Sequence, residues 1–200
     1  MNILHIDCSP RHHSHSRQLS AAIMAQLLNK YPQANITRRD LGHNPIPHTE
    51  QDYASALASP AALQEGLNNG ATRLSEHLIM ELEAADTLVI GTPMNNFTVP
   101  SVLKAWLDQI IRIGRSFAPS DDGSKIGLLK DRPVYIGIAA GGFYTEEKAK
   151  QPDFLTPYIT AALGCIGLKN LQFLPLQGTA FLSGEQLDSN QQAMLAAHLK

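Results

Sequence analysis

The chain has 200 residues, the length of one domain with a full core, residues 1-200. Apolar residues make up 44% and charged residues 17%, which excludes a disordered or fibrous chain. A net charge of -2 leaves no basic face for nucleic acid and no acidic tail. The apolar runs are too short to span a bilayer. The opening Met1-Asn2-Ile3-Leu4-His5 lacks the features of a signal peptide. The expectation is a cytoplasmic protein with neither nucleic acid nor membrane as partner. Cys8 and Cys165 fit no C-x-x-C or zinc spacing and read as small apolar residues.

In chain order, Ile3-Leu4-His5-Ile6-Asp7 reads as a short buried strand. Leu19, Ile23 and Leu27 recur every four residues and mark a helix ending near Lys30-Tyr31-Pro32. Ile36 to Asp40 is a more polar strand, which suits an edge. Asn44-Pro45-Ile46-Pro47 is a stiff extended connector. From about Ser59 the pattern is helical, with Leu74, Leu78 and Leu82 in step until Ala85-Asp86. Thr87 to Gly91 is the clearest buried strand. A loop and a helix from about Pro100 to Ile113 follow. Val134 to Ala140 is the fourth strand and Phe154 to Leu163 a helix. Leu171 to Leu174 is the fifth strand, and a last helix runs from about Gly184 to Leu199.

Strand–helix alternation repeated five times predicts an α/β domain with a parallel sheet covered on both faces. Five strands suit the flavodoxin-like doubly wound order 2-1-3-4-5. In such a sheet ligands bind beyond the carboxyl ends of the strands, near the switch in strand order. Three loops are expected there.

The first runs from Cys8 to Arg17. It carries neither the dinucleotide fingerprint nor a P-loop. Its hydroxyls at Ser9, Ser14 and Ser16, with Arg11 or Arg17, suit a terminal phosphate at a helix N-terminus. Equally, Ser14 or Ser16 is simply the helix N-cap. His12, His13 and His15 have no carboxylate or Cys at ligand spacing, so no metal site is assigned. The second loop, Thr92 to Pro100, is stiffened by a proline at each end. Asn95 and Asn96 offer amides to the edge of a flavin ring, and Met94 and Phe97 offer apolar contact. The alternative is a turn with the Asn residues in tight dihedrals and Phe97 plugging the core. The third loop, Ala139-Ala140-Gly141-Gly142-Phe143-Tyr144, lets backbone approach a ligand closely, or is an ordinary Gly-Gly turn.

Across its length the chain resembles the FMN-dependent NADH-azoreductases and the wider NAD(P)H quinone reductase family. The resemblance is carried by Arg39-Asp40-Leu41 with Asn44-Pro45-Ile46-Pro47, and by Pro93-Met94-x-Asn96-Phe97. Leu103-Lys104-x-Trp106-x-Asp108, Gly114-x-x-Phe117, Gly127-Leu128 and Gly141-Gly142 add to it. So do Pro157-Tyr158 and Leu163-Gly164-x-Ile166-Gly167. It implies FMN with its phosphate on Ser9 and Ser14-His15-Ser16. The ring would lie on Pro93, Met94, Asn95, Asn96 and Phe97 and on Ala139, Ala140, Gly141 and Gly142. It implies hydride transfer from NADH or NADPH through flavin N5 to a quinone or azo acceptor, in ping-pong order. It also implies a homodimer with active sites at the interface. Val102, Leu103, Trp106, Leu107, Ile110 and Ile111 form a double apolar stripe that either needs such a second cover or is one wide core-facing stripe.

Asn96 and Tyr144 are the local candidates to touch substrate, with Phe117 and Phe143 as walls of the cleft. No nucleophile–base pair is present, so no catalytic residue is assigned beyond the flavin-borne chemistry. Family members often have Tyr where Asn95 stands and polar residues where Ala139-Ala140 stand; both departures point to altered acceptor preference. A competing class is a flavodoxin-type FMN carrier, usually strongly acidic, which this chain is not. A phosphatase or kinase lacks its nucleophile or P-loop here.

Overall fold

A computed structural model describes residues 1–199. In chain order it contains β1 (Asn2–Asp7), α1 (His15–Lys30), β2 (Asn35–Asp40), α2 (Gln51–Ala56), α3 (Pro60–Asn69) and α4 (Arg73–Ala84). Then come β3 (Thr87–Pro93), α5 (Ser101–Ile110), β4 (Phe117–Pro119), β5 (Lys125–Gly127) and β6 (Val134–Ala139). A 3-10 turn (Glu146–Lys148), α6 (Leu155–Cys165), β7 (Leu171–Leu176) and α7 (Gly184–His198) complete it. The main sheet is parallel, in the order β2-β1-β3-β6-β7. That is the expected doubly wound order, with the switch between β1 and β3. Among the described residues no helix is long and apolar enough to cross a membrane.

Strand alternation feeds two cores. Leu4, Ile6 and Cys8, with Leu88, Ile90, Val134, Ile136 and Ile138, pack under α4, α5 and α6. Ile3, Val89 and Leu174 point the other way, onto Leu19, Ile23 and Leu27 of α1 and Leu187 and Leu195 of α7. The two edges read differently for local reasons. β2 is exposed over most of its length, as its polar sequence suggests. β7 runs on to Leu176, past the expected Leu174, because Pro175 is tolerated in an edge strand.

Other boundaries differ from the sequence reading. The helical stretch after Ser59 is two helices, divided where Gly70 takes a left-handed φ of 86°. Ser59 caps the first, with Pro60 in its first turn. The helix expected to reach Ile113 stops at Ile110. There the Ser116 hydroxyl donates to Ile110 O (2.6 Å), and Gly114 turns the chain with φ 72°. The six-residue α2 and the β4–β5 hairpin are too short to leave a periodic signal. The stripe on α5 is covered within the chain. Leu103, Trp106, Leu107 and Ile110 are buried, and Val102 and Ile111 pack against the same core. Four of the six face the core, and Val102 and Ile111 stay half-buried at its margin.

What places the loop after β1 is the close approach of α1 to the sheet. A Cβ on Gly91 would lie 2.6 Å from Ser20 Cβ and 2.8 Å from Ser16 O. One on Gly137 would lie 2.9 Å from Leu19 Cγ. Two strand glycines thus let the helix settle onto β3 and β6. Gly91→Ala is expected to destabilise the fold by about 1–3 kcal/mol through overpacking. The check is a lower urea midpoint with an unchanged m-value.

Candidate functional site

The loop after β1 enters α1 through Ser14, the N-cap, whose hydroxyl accepts from Arg17 N (3.3 Å). The cap reading is thus realised at Ser14, and Ser16 is left beside it with the two hydroxyl oxygens 3.3 Å apart. Ser9, Ser14 and Ser16 are all buried, while Arg11, His12 and His13 are exposed and His15 half-buried. Among the described residues, nothing accepts from the N–H groups of His15 and Ser16 at the head of α1. The Ser9 and Arg11 carbonyls, by contrast, are occupied. Arg17 Nε (2.9 Å) and Nη2 (2.6 Å) both donate to Ser9 O, and Ser14 N donates to Arg11 O (3.3 Å).

Arg17 is not a loose cation awaiting a phosphate. Its Nη1 donates to Asp40 Oδ2 (2.9 Å) and lies 3.6 Å from Asp7 Oδ2. Its hydrogen bond to Arg17 holds the Asp40 carboxyl well below the usual carboxylate range. Burial alone would raise Asp7. Hydrogen bonds from His5 and Ser20 and the nearby charges of His5 and Arg17 outweigh it and keep Asp7 low. His12 stacks on His43 with ring centroids 4.2 Å apart. Among the described residues, no group of three or more His, Cys, Asp or Glu is placed to hold a metal ion. Cys8 is fully buried, and burial pushes its thiol up. Cys165 ends α6 half-buried.

The loop after β3 is a two-residue turn. Asn95 and Thr98 exchange backbone hydrogen bonds of 2.9 and 3.0 Å. Between them Asn96 and Phe97 have φ of 46° and 70°. Positive φ at both central residues is the type I′ pattern, normally filled by Asn-Gly. A Phe held there is strained, and such strain clusters at functional sites. Phe97 is 44% exposed, so it does not plug the core. Its carbonyl accepts from Phe154 N (3.0 Å), while nothing among the described residues accepts from the N–H groups of Asn96 or Phe97. Pro93 pairs with Ala139 across β3 and β6. Met94 N donates to Ala139 O (2.9 Å), and Met94 Sδ accepts from Gln151 Nε2 (3.2 Å). The side chains of Asn95 and Asn96 are exposed.

The loop after β6 repeats the arrangement. Ala140 O, Gly141 O and Gly142 O accept from Thr179, Ala180 and Gly178 N at 3.0, 3.2 and 3.0 Å. The N–H groups of Gly141 and Gly142 have no acceptor among the described residues. Gln177 Oε1 accepts from Tyr144 N (2.9 Å) and Thr145 N (3.1 Å), fixing the loop from β7. Phe143 lies nearly parallel to the exposed ring of Phe181, centroids 6.2 Å apart.

Two of the expected substrate contacts lie apart from the exposed tips of these loops. Tyr144 is 5% exposed and packs in the core. Its hydroxyl is buried without a partner among the described residues. Phe117 lies on the β4–β5 hairpin, paired with Gly127, and its ring sits 4.9 Å from Lys125 Nζ. That hairpin packs on α6 and forms no part of the three loops. Ala139 and Ala140 are buried and offer backbone only. Missing from the sequence reading are Arg17 as a brace, Gln177, Gln151 and Phe181. The Arg39-Asp40-Leu41 motif had flagged Asp40 without giving it a role.

Strand order and three loops at the carboxyl edge define a flavodoxin-like α/β protein. The family model described as Flavodoxin-like fold matches residues 1–200. The FMN-dependent NADH:quinone oxidoreductase 4 of Pseudomonas fluorescens is 47% identical over 181 residues, 90% of this chain and 85% of that protein. The FMN-dependent NADH:quinone oxidoreductase 5 of Burkholderia lata is 42% identical over 183 residues, 90% and 86% of the two chains. Among solved structures, an azoreductase from Bacillus anthracis superposes with a TM-score of 0.83 at 21% identity, covering 98% of this chain and 96% of that one. An FMN-dependent NADH-azoreductase of the same species, in complex with FMN, gives 0.76 at 24% identity, covering 98% and 96%. At those identities the structures show the fold. The chain belongs to this flavodoxin-like family, alongside the FMN-dependent NADH:quinone oxidoreductases.

Two outcomes follow from the geometry. Phe97→Gly should raise stability by about 0.5–1 kcal/mol by relieving left-handed strain, read as a higher thermal midpoint, while weakening the site. Carboxylates held low in the fold stabilise it above their unfolded value near 4, and that stability is lost as pH falls through the folded values. The urea midpoint should therefore drop on acidification below about pH 4. Asp40→Asn should flatten the slope.

Proposed function

We propose that this chain is an FMN-dependent NADH:quinone oxidoreductase that also reduces aromatic azo compounds. The observation that carries the reading is a set of free N–H groups at the carboxyl edge of the sheet, in a chain 47% identical to an enzyme of that name. The donor set fits FMN. Hydroxyls of Ser9, Ser14 and Ser16 and the N–H groups opening α1 suit a phosphate. The free N–H groups of Asn96, Phe97, Gly141 and Gly142 suit the polar edges of the ring, and Met94 and Phe97 suit its faces.

FMN, when bound, supplies the chemistry, taking a hydride from NADH and passing the electrons to a quinone or azo acceptor. The chain's own residues orient and stabilise. The fixed N–H dipoles of Gly141 and Gly142 would favour negative charge on a ring edge brought to them, with no reorganisation needed. The strained turn holds Asn96 and the Phe97 ring out at the mouth of the cleft, where a planar acceptor would lie. Phe143 and Phe181 flank the other side. Donor and acceptor use one cleft in ping-pong order, so the nicotinamide product leaves before the acceptor enters. Asn95 offers an amide where an aromatic wall is common in the family, which bears on acceptor choice.

The chain acts as a homodimer with active sites at the interface. The hairpin region exposes Ile126 and Leu128 at 52% and 50%, with Ile113 at 40%. A second copy seated there would bring Phe117 to the neighbouring cleft as its wall. The enzyme works in the cytoplasm, where NADH is available.

The purified protein should be yellow, bleach anaerobically with NADH and recover colour with a quinone. A yellow protein that NADH does not bleach would instead be an electron carrier. A protein that stays colourless after FMN is added ends the flavin reading. Steady-state rates should give parallel double-reciprocal lines, and sedimentation should give twice the chain mass. Asn95→Tyr should reorder quinone and azo acceptors by kcat/KM and leave FMN affinity unchanged.

A further inference from the structure

We propose that Arg17, held by Asp40, is a positioning residue for the cofactor's phosphate. It acts by turning the Ser9 carbonyl away from the anion, without touching the anion itself. The inference rests on reading the loop after β1 as the phosphate end of an FMN site.

A phosphate meets a backbone carbonyl as the negative end of a dipole. A loop that binds it must aim N–H and O–H groups inward and its carbonyls elsewhere. Ser9 is where that requirement is sharpest, because it leaves β1 directly and is 2% exposed. Two donors of one guanidinium, Arg17 Nε and Nη2, close on the single oxygen Ser9 O at 2.9 and 2.6 Å. The fork is oriented from behind. Asp40 accepts from Nη1 at 2.9 Å and also from Nη2, and its Oδ1 takes His43 N–H at 3.1 Å. The Arg17 side chain is 8% exposed and lies against the carboxylates of both Asp7 and Asp40. Its charge is balanced where it stands.

Gly42, two residues past β2, closes the arrangement. A Cβ there would lie 2.1 Å from Ser9 O and 2.9 Å from Arg17 Nη2. The end of β2, the guanidinium and the Ser9 peptide are therefore fitted to one another with no slack. Lys cannot replace Arg17, because a single ammonium offers no planar fork to hold one oxygen while meeting a carboxylate. With the Ser9 carbonyl tied off, the Ser9 hydroxyl and the head of α1 are the polar groups left to face an anion.

Riboflavin separates this role from general loosening, since it carries the same ring without the phosphate. Wild type, Arg17→Lys and Asp40→Asn would be stripped of flavin as full chains. Each would then be titrated with FMN and with riboflavin, following quenching of flavin fluorescence. Both variants are expected to weaken FMN about tenfold, the scale of one lost charge-assisted hydrogen bond, and to leave riboflavin affinity unchanged. Gly42→Ala keeps every charge and displaces the Ser9 peptide directly, so it should show the same selective loss, and it serves if Asp40→Asn does not fold. Unchanged FMN affinity in the variants, or equal loss of FMN and riboflavin, would overturn the proposal. A wild type that binds FMN no better than riboflavin would instead overturn the assignment of this loop to the phosphate.

Discussion

A site built from backbone has to solve one problem: its N–H groups must stay unsatisfied while the segments that carry them stay rigid. An unpaired buried N–H is costly, and an unpinned loop pays conformational entropy whenever it orders around a ligand. Here the solution is the same in all three loops. The carbonyls are tied off, by Arg17 at Ser9, by Phe154 N at Phe97 and by residues 178 to 180 at Ala140 to Gly142. Rigidity comes from the tied carbonyls, and N–H groups elsewhere in the same loops remain for a ligand. The N–H groups lie at the carboxyl edge of the sheet, left for a ligand.

That division explains why the anchoring residues come from outside the loops. Arg17 lies inside α1, Asp40 at the end of β2, Gln177 just past β7 and Phe154 just before α6. Each belongs to an element whose place is fixed by packing, so the precision of the loops is borrowed from the core. Gly91 and Gly137 work one level lower, letting α1 sit close enough for Arg17 to reach Ser9. A methyl group added beneath the helix would be felt in a loop that it never touches.

The fold was legible because burial on both faces writes continuous apolar runs into the central strands, and packing on one face writes period four into the helices. Thr87 to Gly91 could hardly be anything but a central strand. The polar run at Arg38-Arg39-Asp40 likewise marked an edge. Boundaries set by one hydrogen bond were not legible, such as the Ser116 hydroxyl that closes α5 at Ile110. The three loops at the carboxyl edge were also legible, since the switch in strand order says where to look. What each residue does within them was less so. Arg17 looked like a cation for phosphate, yet its partners are 23 and 10 residues away in sequence at Asp40 and Asp7. Tyr144 looked like a cleft residue because it follows Gly141-Gly142. Its ring packs into the core from a stretch outside any strand or helix, so the sequence carries no periodic signal for that burial.

The turn at Asn96-Phe97 bears most directly on function. Asn-Gly would satisfy a type I′ turn at least cost, so stability alone does not account for Phe97. An aromatic ring pinned in a left-handed conformation and 44% exposed gains little from the fold. The gain has to come from what the ring meets. A planar flavin and a planar acceptor both offer a face to it, and a turn with no freedom of its own presents that ring without an ordering penalty at the moment of binding. Strain at Phe97 and the unused N–H groups beside it are thus two expressions of one arrangement, in which the protein is organised before its cofactor arrives.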